Sequence, residues 1–324
     1  MLFLSVIAQA RPSLYRSSKF LDEDKSLLTV GILTQPSKNS TLHSLGHSQY
    51  IFEMGDIWMR EAGLNAVYIP FNATDDDLYA LLDQVNGVFF TGGSLDLYNY
   101  TSGEPHPYTV TAQKILNYAV AHTDAGDYFP LLGVCQGHQL LHLLVANNTR
   151  AFGNSYLENV VTPTNFTGDP RRESRMLATF DGDILDAMVS QNILLHLHMH
   201  GIPAEDYKAY PSLSRFFKVL STNVIDGQEI VMTAEGLKHP VYTVQFHPEA
   251  VLEPATDINA VRSTLTFRLA QSFVNFFAAE CAKNDHEFKD RDFLDRVFVH
   301  NQAKGRASFV SDLVNCYGIE YYGF

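Results

Sequence analysis

From residue 28 onward, short apolar runs rich in β-branched and aromatic residues alternate with longer stretches whose apolar positions recur every three or four residues. The runs 28-LTVGILTQ-35, 66-AVYIPF-71, 87-GVFFTGG-93 and 130-PLLGVC-135 have the length and composition of buried strands. Between them, 48-SQYIFEMGDIWMREAG-63, 75-DDDLYALLDQV-85 and 109-TVTAQKILNYAVAHT-123 carry an amphipathic period, and a further helix begins near Gln136. Alternation at this spacing predicts right-handed crossovers and a mainly parallel central sheet with helices on both faces. Past residue 151, the runs 218-KVLSTN-223, 229-EIVMTAE-235 and 241-VYTVQF-246 lie close together with turn residues between them, as a small antiparallel extension requires. A helical period covers 258–283, and the tail 284–324, charged and then aromatic, is expected to pack across the body. No repeat, low-complexity tract or Pro/Gly/Ser linker interrupts the chain, so residues 27–324 read as a single domain.

Composition narrows the partners. The chain has 324 residues, 46% of them hydrophobic and 18% charged, which is ordinary for a globular protein with a full core. Its formal net charge of −13 repels phosphate backbones and anionic lipid, so neither nucleic acid nor membrane is expected as a partner. No apolar run approaches the roughly 18 to 20 residues of a membrane-spanning helix. Residues 1–10, MLFLSVIAQA, end in the small-x-small pattern Ala8-Gln9-Ala10 and read as a signal-peptide remnant, although a positive n-region is missing. Five N-x-S/T acceptors, at Asn39, Asn72, Asn99, Asn147 and Asn165, matter only in a chain that enters the secretory pathway. The three cysteines, Cys135, Cys281 and Cys316, form neither a disulfide framework nor a C-x-x-C pair, and a single Cys281–Cys316 bridge stays open.

Three features fall at predicted strand ends, where open parallel sheets bind ligands: Gly92-Gly93, Cys135 and His247-Pro248-Glu249. The stretch Gly133-Val134-Cys135-Gln136-Gly137 is the cysteine form of the nucleophile elbow, with glycines where a Cβ would crowd the turn. A thiolate at a helix start gains from the dipole and the unpaired amides. Taken alone the motif is equally compatible with a buried packing cysteine. His247 is the candidate base and acid, and Glu249, two residues on, is placed to orient its ring. Main-chain N–H groups of Gln136 and Gly93 are candidate oxyanion donors, although most glycine pairs are simply turns. His196, His198 and His200 alternate on one strand face, but no carboxylate or cysteine stands at ligand spacing nearby, so a substrate-orienting histidine is preferred to a metal site. No metal and no cofactor are expected. The run Arg171-Arg172-Glu173-Ser174-Arg175 reads as a solvated loop.

The stretches 30-VGILTQP-36, 86-NGVFFTGGSLDL-97, 129-FPLLGVCQGHQLL-141, 163-PTNFTG-168 and 241-VYTVQFHPE-249, in this order and with the C-terminal helix, resemble the gamma-glutamyl hydrolases of the class I glutamine-amidotransferase-like superfamily. The resemblance implies a flavodoxin-like three-layer α/β sandwich. It also implies a lysosomal, vacuolar or secreted cysteine peptidase that removes glutamates from the gamma-linked tail of folylpolyglutamates and acts as a homodimer. By that resemblance Cys135 matches the nucleophile, His247 the base and acid, and Glu249 its acidic partner. His198, Tyr50 and Gly92 fall at positions near the substrate. The segment Gln136-Gly137-His138-Gln139 departs towards the form common in glutaminase domains. Two alternatives therefore stand beside the first reading: a glutaminase module releasing ammonia, and an inactive secreted glycoprotein.

Overall fold

The computed structural model describes residues 28–37, 47–99, 101–148, 152–254, 257–309 and 312–324. The signal-like segment and Asn39 lie outside these residues. The chain runs through β1 (Thr29–Leu33), β2 (Gln35–Pro36), β3 (Gln49–Phe52), α1 (Glu53–Glu61), β4 (Asn65–Ile69) and α2 (Asp75–Leu82). It continues through β5 (Val88–Phe90), α3 (Pro107–Asp124), β6 (Leu131–Val134) and α4 (Gln136–Ala146). The next part is strand-rich: β7 (Gly153–Thr162), β8 (Asn165–Phe166), α5 (Gly182–Ser190), β9 (Leu194–Pro203), β10 (Phe217–Ile225), β11 (Gln228–Gly236) and β12 (Val241–Val244). The long helix α6 (Thr264–Cys281) and the tail strands β13 (Ala303–Phe309) and β14 (Asp312–Ile319) follow.

Five parallel strands, in the order β4-β1-β5-β6-β12, form the centre of the sheet. Their apolar runs are buried throughout, as strands covered on both faces must be. The chain moves outward from β1 to β4 and then back past β1 to β5, β6 and β12. Right-handed crossovers in opposed directions put α1 on one face and α2, α3 and α4 on the other. Packing agrees: α3 meets α4, while α1 meets α6, with Trp58 Nε1 donating to the Ala270 carbonyl at 3.0 Å. The reversal lies between β1 and β5, and it makes the carboxyl ends of these strands the natural place for a ligand.

The expected antiparallel extension is present: β12 pairs with β11, β11 with β10 and β10 with β8, while a β7–β9 ribbon joins the edge through β11. The tail packs across the body as a second, four-stranded antiparallel sheet, β13-β14-β3-β2. The stretch at 48–63 therefore starts as a strand before becoming a helix, because Gln49–Phe52 pairs with Cys316–Ile319. The last long helix starts later than its apolar period suggests. Ser263 is extended and forms a reciprocal capping box with Thr266, which fixes the first turn. Cys281 and Cys316 are not bridged. Both are free and buried, one on α6 beside Gly87 and the other opposite Phe52 in the second sheet. Among the described residues, no helix is long and apolar enough to cross a membrane.

Candidate active site

Cys135 ends β6 and caps α4 with φ 51° and ψ −104°, a conformation that L side chains rarely adopt. Such a residue stores on the order of 1–3 kcal/mol and persists only where its surroundings fix it. Here its N–H donates to the Val244 carbonyl at 2.8 Å, and its carbonyl accepts from Gln139 N at 3.1 Å. The flanking glycines allow the turn by close packing. A Cβ on Gly137 would lie 2.3 Å from the Phe90 carbonyl oxygen, and one on Gly133 would lie 2.7 Å from the Gly137 backbone.

His247 follows β12 and is anchored by its N–H on the Leu195 carbonyl at 2.8 Å. Pro248 opens a 3-10 turn that brings Glu249 back to the ring, with Glu249 Oε1 2.8 Å from Nδ1. Both side chains are buried. A Cβ on Gly92 would fall 2.6 Å from His247 Cε1 and 3.5 Å from the Cys135 Cβ, so imidazole and cysteine meet in the space above this glycine. Burial opposes a charge on the ring, but the negative charges of Cys135 and Glu249 and hydrogen bonds to both push it up to about 10. The cysteine, histidine and glutamate singled out in the sequence are thus one contiguous group.

Gly93 lies where a Cβ would come 2.6 Å from Gln136 Oε1 and 2.7 Å from Gln35 Nε2. Gln136 Nε2 donates to the Leu95 carbonyl at 2.8 Å, and Gln35 reaches Tyr108 Oη at 3.3 Å. Gln35 was not singled out in the sequence; its signal is a polar side chain just past the carboxyl end of β1. A cleft of about 220 Å³ opens beside Cys135, Gln136 and Gly93, with Asp96 and Glu158 on its walls.

His198 lines the same cleft, but both ring nitrogens face protein: Nδ1 lies 2.8 Å from the Ser155 carbonyl and Nε2 3.0 Å from His196 Nδ1. Burial, outweighing hydrogen bonds to the main chain, pushes it down to about 4. His196 is buried deeper, and burial holds it well below the usual imidazole range. Tyr50 does not line the cleft. It packs edge-on against Phe52, 5.1 Å between centroids, in the small apolar cluster that includes Leu197. The Leu197 carbonyl accepts from the Cys135 thiol at 3.7 Å.

The two residues after the elbow separate in role. Gln139 Nε2 donates to the His200 carbonyl at 2.7 Å and to Gln245 Oε1 at 3.2 Å, tying α4 both to the cleft edge and to the segment that leads into His247. His138 is buried against His142, 4.3 Å between ring centroids, and does not line the cleft. Burial holds it well below the usual range, so it is neutral. The basic run is spent locally: Arg172 pairs with Asp169, and Arg175 donates to the Gly236 carbonyl.

The profile of the peptidase C26 family matches residues 29–249, from the first strand to Glu249. The chain belongs to peptidase family C26. All three members of the Cys135–His247–Glu249 group fall inside the span that defines this C26 chain. Human gamma-glutamyl hydrolase is 30% identical over 295 residues, covering 89% of this chain and 88% of the human protein. Gamma-glutamyl hydrolase B of Dictyostelium discoideum is 27% identical over 87% of this chain and 80% of its own length. Among solved structures, a glutamine amidotransferase from Thermotoga maritima aligns with 79% of the C26 chain and 99% of its own, at 11% identity and a TM-score of 0.49.

Proposed function

We propose that the protein is a cysteine hydrolase of gamma-glutamyl amide bonds, with folylpolyglutamates as its small-molecule substrates. The observation that carries this reading is the His247 ring held over Gly92 between Cys135 and Glu249, at a cysteine with positive φ. Membership of family C26, and the gamma-glutamyl hydrolases among its relatives, support the choice of bond.

In this mechanism the Cys135 thiolate attacks the gamma-carbonyl carbon. The developing oxyanion is met by the main-chain N–H of Gly93 and by that of Gln136, a first-turn amide with no intrahelical acceptor. As the C–N bond breaks, His247 gives its Nε2 proton to the leaving amine, and a thioester remains on Cys135. Water, losing a proton to His247, then attacks the thioester carbon, the C–S bond breaks, and the gamma-carboxylic acid leaves and ionises, restoring the Cys135 thiolate beside protonated His247. Glu249 accepts from Nδ1 and so keeps Nε2 available. His198, with both ring nitrogens engaged, contributes shape to the wall, Gly92 supports the imidazole, and Tyr50 packs against the same apolar cluster as Leu197. Residues 27–324 act as one domain in this proposal, and no step calls for a cofactor.

The reading extends to a secretory route, ending in lysosome, vacuole or extracellular space, and to a homodimer. The acceptors Asn72, Asn99, Asn147 and Asn165 are exposed, which supports the route. The test is to incubate the enzyme with pteroyl-polyglutamate and, separately, with glutamine. Release of glutamate or gamma-glutamyl peptide from the folate is expected. Ammonia release from glutamine, with the gamma-peptide intact, would overturn the proposal.

A further inference from the structure

At the amino ends of the strands, across the sheet from Cys135, three side chains from separate parts of the chain converge. His122 stands in the last turn of α3, Asp127 in the loop that enters β6, and His286 just after α6. His122 Nδ1 is 2.7 Å from Asp127 Oδ2, and His286 Nε2 is 2.9 Å from the same oxygen. All three ligand atoms lie within 4.8 Å of one another. The side chains of His122 and Asp127 are 36% and 35% exposed and that of His286 16%, so an ion has access from solvent.

The surrounding hydrogen bonds give this convergence a direction. His286 Nδ1 faces the main-chain carbonyls of Leu82 at 3.0 Å and Val85 at 3.1 Å. A carbonyl oxygen only accepts, so a ring hydrogen sits on Nδ1, and Nε2 is the nitrogen turned towards Asp127. A proton on a ring nitrogen closes each of these contacts as a hydrogen bond, and a divalent cation can take the place of such protons once the side chains part slightly. Asp127 Oδ1 is occupied by Asn284 Nδ2 at 3.0 Å, which makes Oδ2 the oxygen that the two rings share. Asn284 is fixed in turn by Asn86, whose Nδ2 donates to its Oδ1 at 3.2 Å. A ring N–H held by a main-chain carbonyl and a carboxylate held by an amide are the outer-shell contacts that orient metal ligands.

We infer that His122, Asp127 and His286 form a binding site for a divalent cation of the zinc class, with water completing the coordination. Two imidazoles and one carboxylate suit zinc and its neighbours, whereas magnesium and calcium prefer all-oxygen sets. The site lies away from the elbow and joins three segments: the end of α3, the loop that leads to β6, and the chain that goes on to β13 and β14. Its role is therefore structural. It departs from the absence of metal expected from sequence, because 159 residues separate Asp127 from His286 and only the fold brings them together.

The experiment uses tag-free Cys135→Ala protein, so that the thiolate does not compete for metal, stripped with EDTA and titrated with ZnCl₂ by calorimetry and with Co²⁺ by visible absorption. One ion per chain and a higher melting temperature with zinc are expected. Adding His122→Ala or Asp127→Asn should weaken binding by about tenfold or more, with circular dichroism unchanged. The inference is overturned if zinc neither binds stoichiometrically nor shifts melting, as a merely proton-bridged triad requires, or if both added variants bind like the parent.

Discussion

At Cys135 a strained backbone, a short approach to Gly92 and a buried imidazole coincide, and each has a measurable consequence. Glu249 holds the His247 ring through a 2.8 Å contact to Nδ1. Glu249→Gln should keep the fold and lower kcat by about 10²–10⁴-fold, in line with the loss of an orienting carboxylate in other nucleophile–histidine systems. Steady-state kinetics on a gamma-glutamyl substrate would measure this, and an unchanged kcat would remove Glu249 from the mechanism. The pH dependence follows from His247. Its folded value of about 10 lies above the ordinary imidazole value, so its contribution to stability is fully present below about pH 6.5 and is lost as pH rises through about 10. In denaturant melts, the stability difference between wild type and His247→Gln should therefore shrink over that window. A difference that stays flat would show that the ring is not charged in the folded protein.

The elbow works as an element because β5, β6 and α4 touch at glycines. Gly137→Ala would place a Cβ 2.3 Å from the Phe90 carbonyl oxygen, a backbone atom with no room to yield. Poor soluble yield or a melting temperature lowered by many degrees is expected, and a variant that melts like wild type would contradict the packing described. At this scale much was legible. The apolar runs gave the parallel strands, and glycine spacing around Cys135 gave the turn between β6 and α4. The strand at Gln49–Phe52 was hidden inside a helical pattern, since its partner Cys316–Ile319 lies near the other end of the chain. Gln35 left only the faint signal of a polar residue just past a strand end, and the Gln139–Gln245 contact left none, because a glutamine carries no periodic signal.

Over the whole molecule the charge is −13, and Asp96 and Glu158 bring negative charge into the cleft itself. Among the described residues, neither lysine nor arginine lines that cleft. A polyanionic gamma-glutamyl tail must therefore approach against a like field, which salt screens over about 8–10 Å at 0.10–0.15 M. KM for a long-tailed substrate should fall as ionic strength rises, and Asp96→Asn with Glu158→Gln should lower it at low salt with little effect on kcat. Initial rates at several salt concentrations would decide this; a KM that rises with salt would point instead to cations that draw the tail in.

Local order was already written in the chain: where apolar residues repeat at strand or helix spacing, where glycines permit a sharp turn, and which residue types are reactive. Proximity was not. That Cys135 and His247, 112 positions apart by number, share the space over Gly92, that Glu249 folds back on the imidazole, and that both nitrogens of His198 are already engaged depend on contacts between distant segments. The same holds for His122, Asp127 and His286 at the opposite end of the sheet. Periodicity reports the face on which a side chain lies, but only the order of strands β4-β1-β5-β6-β12 sets which faces and which strand ends become neighbours.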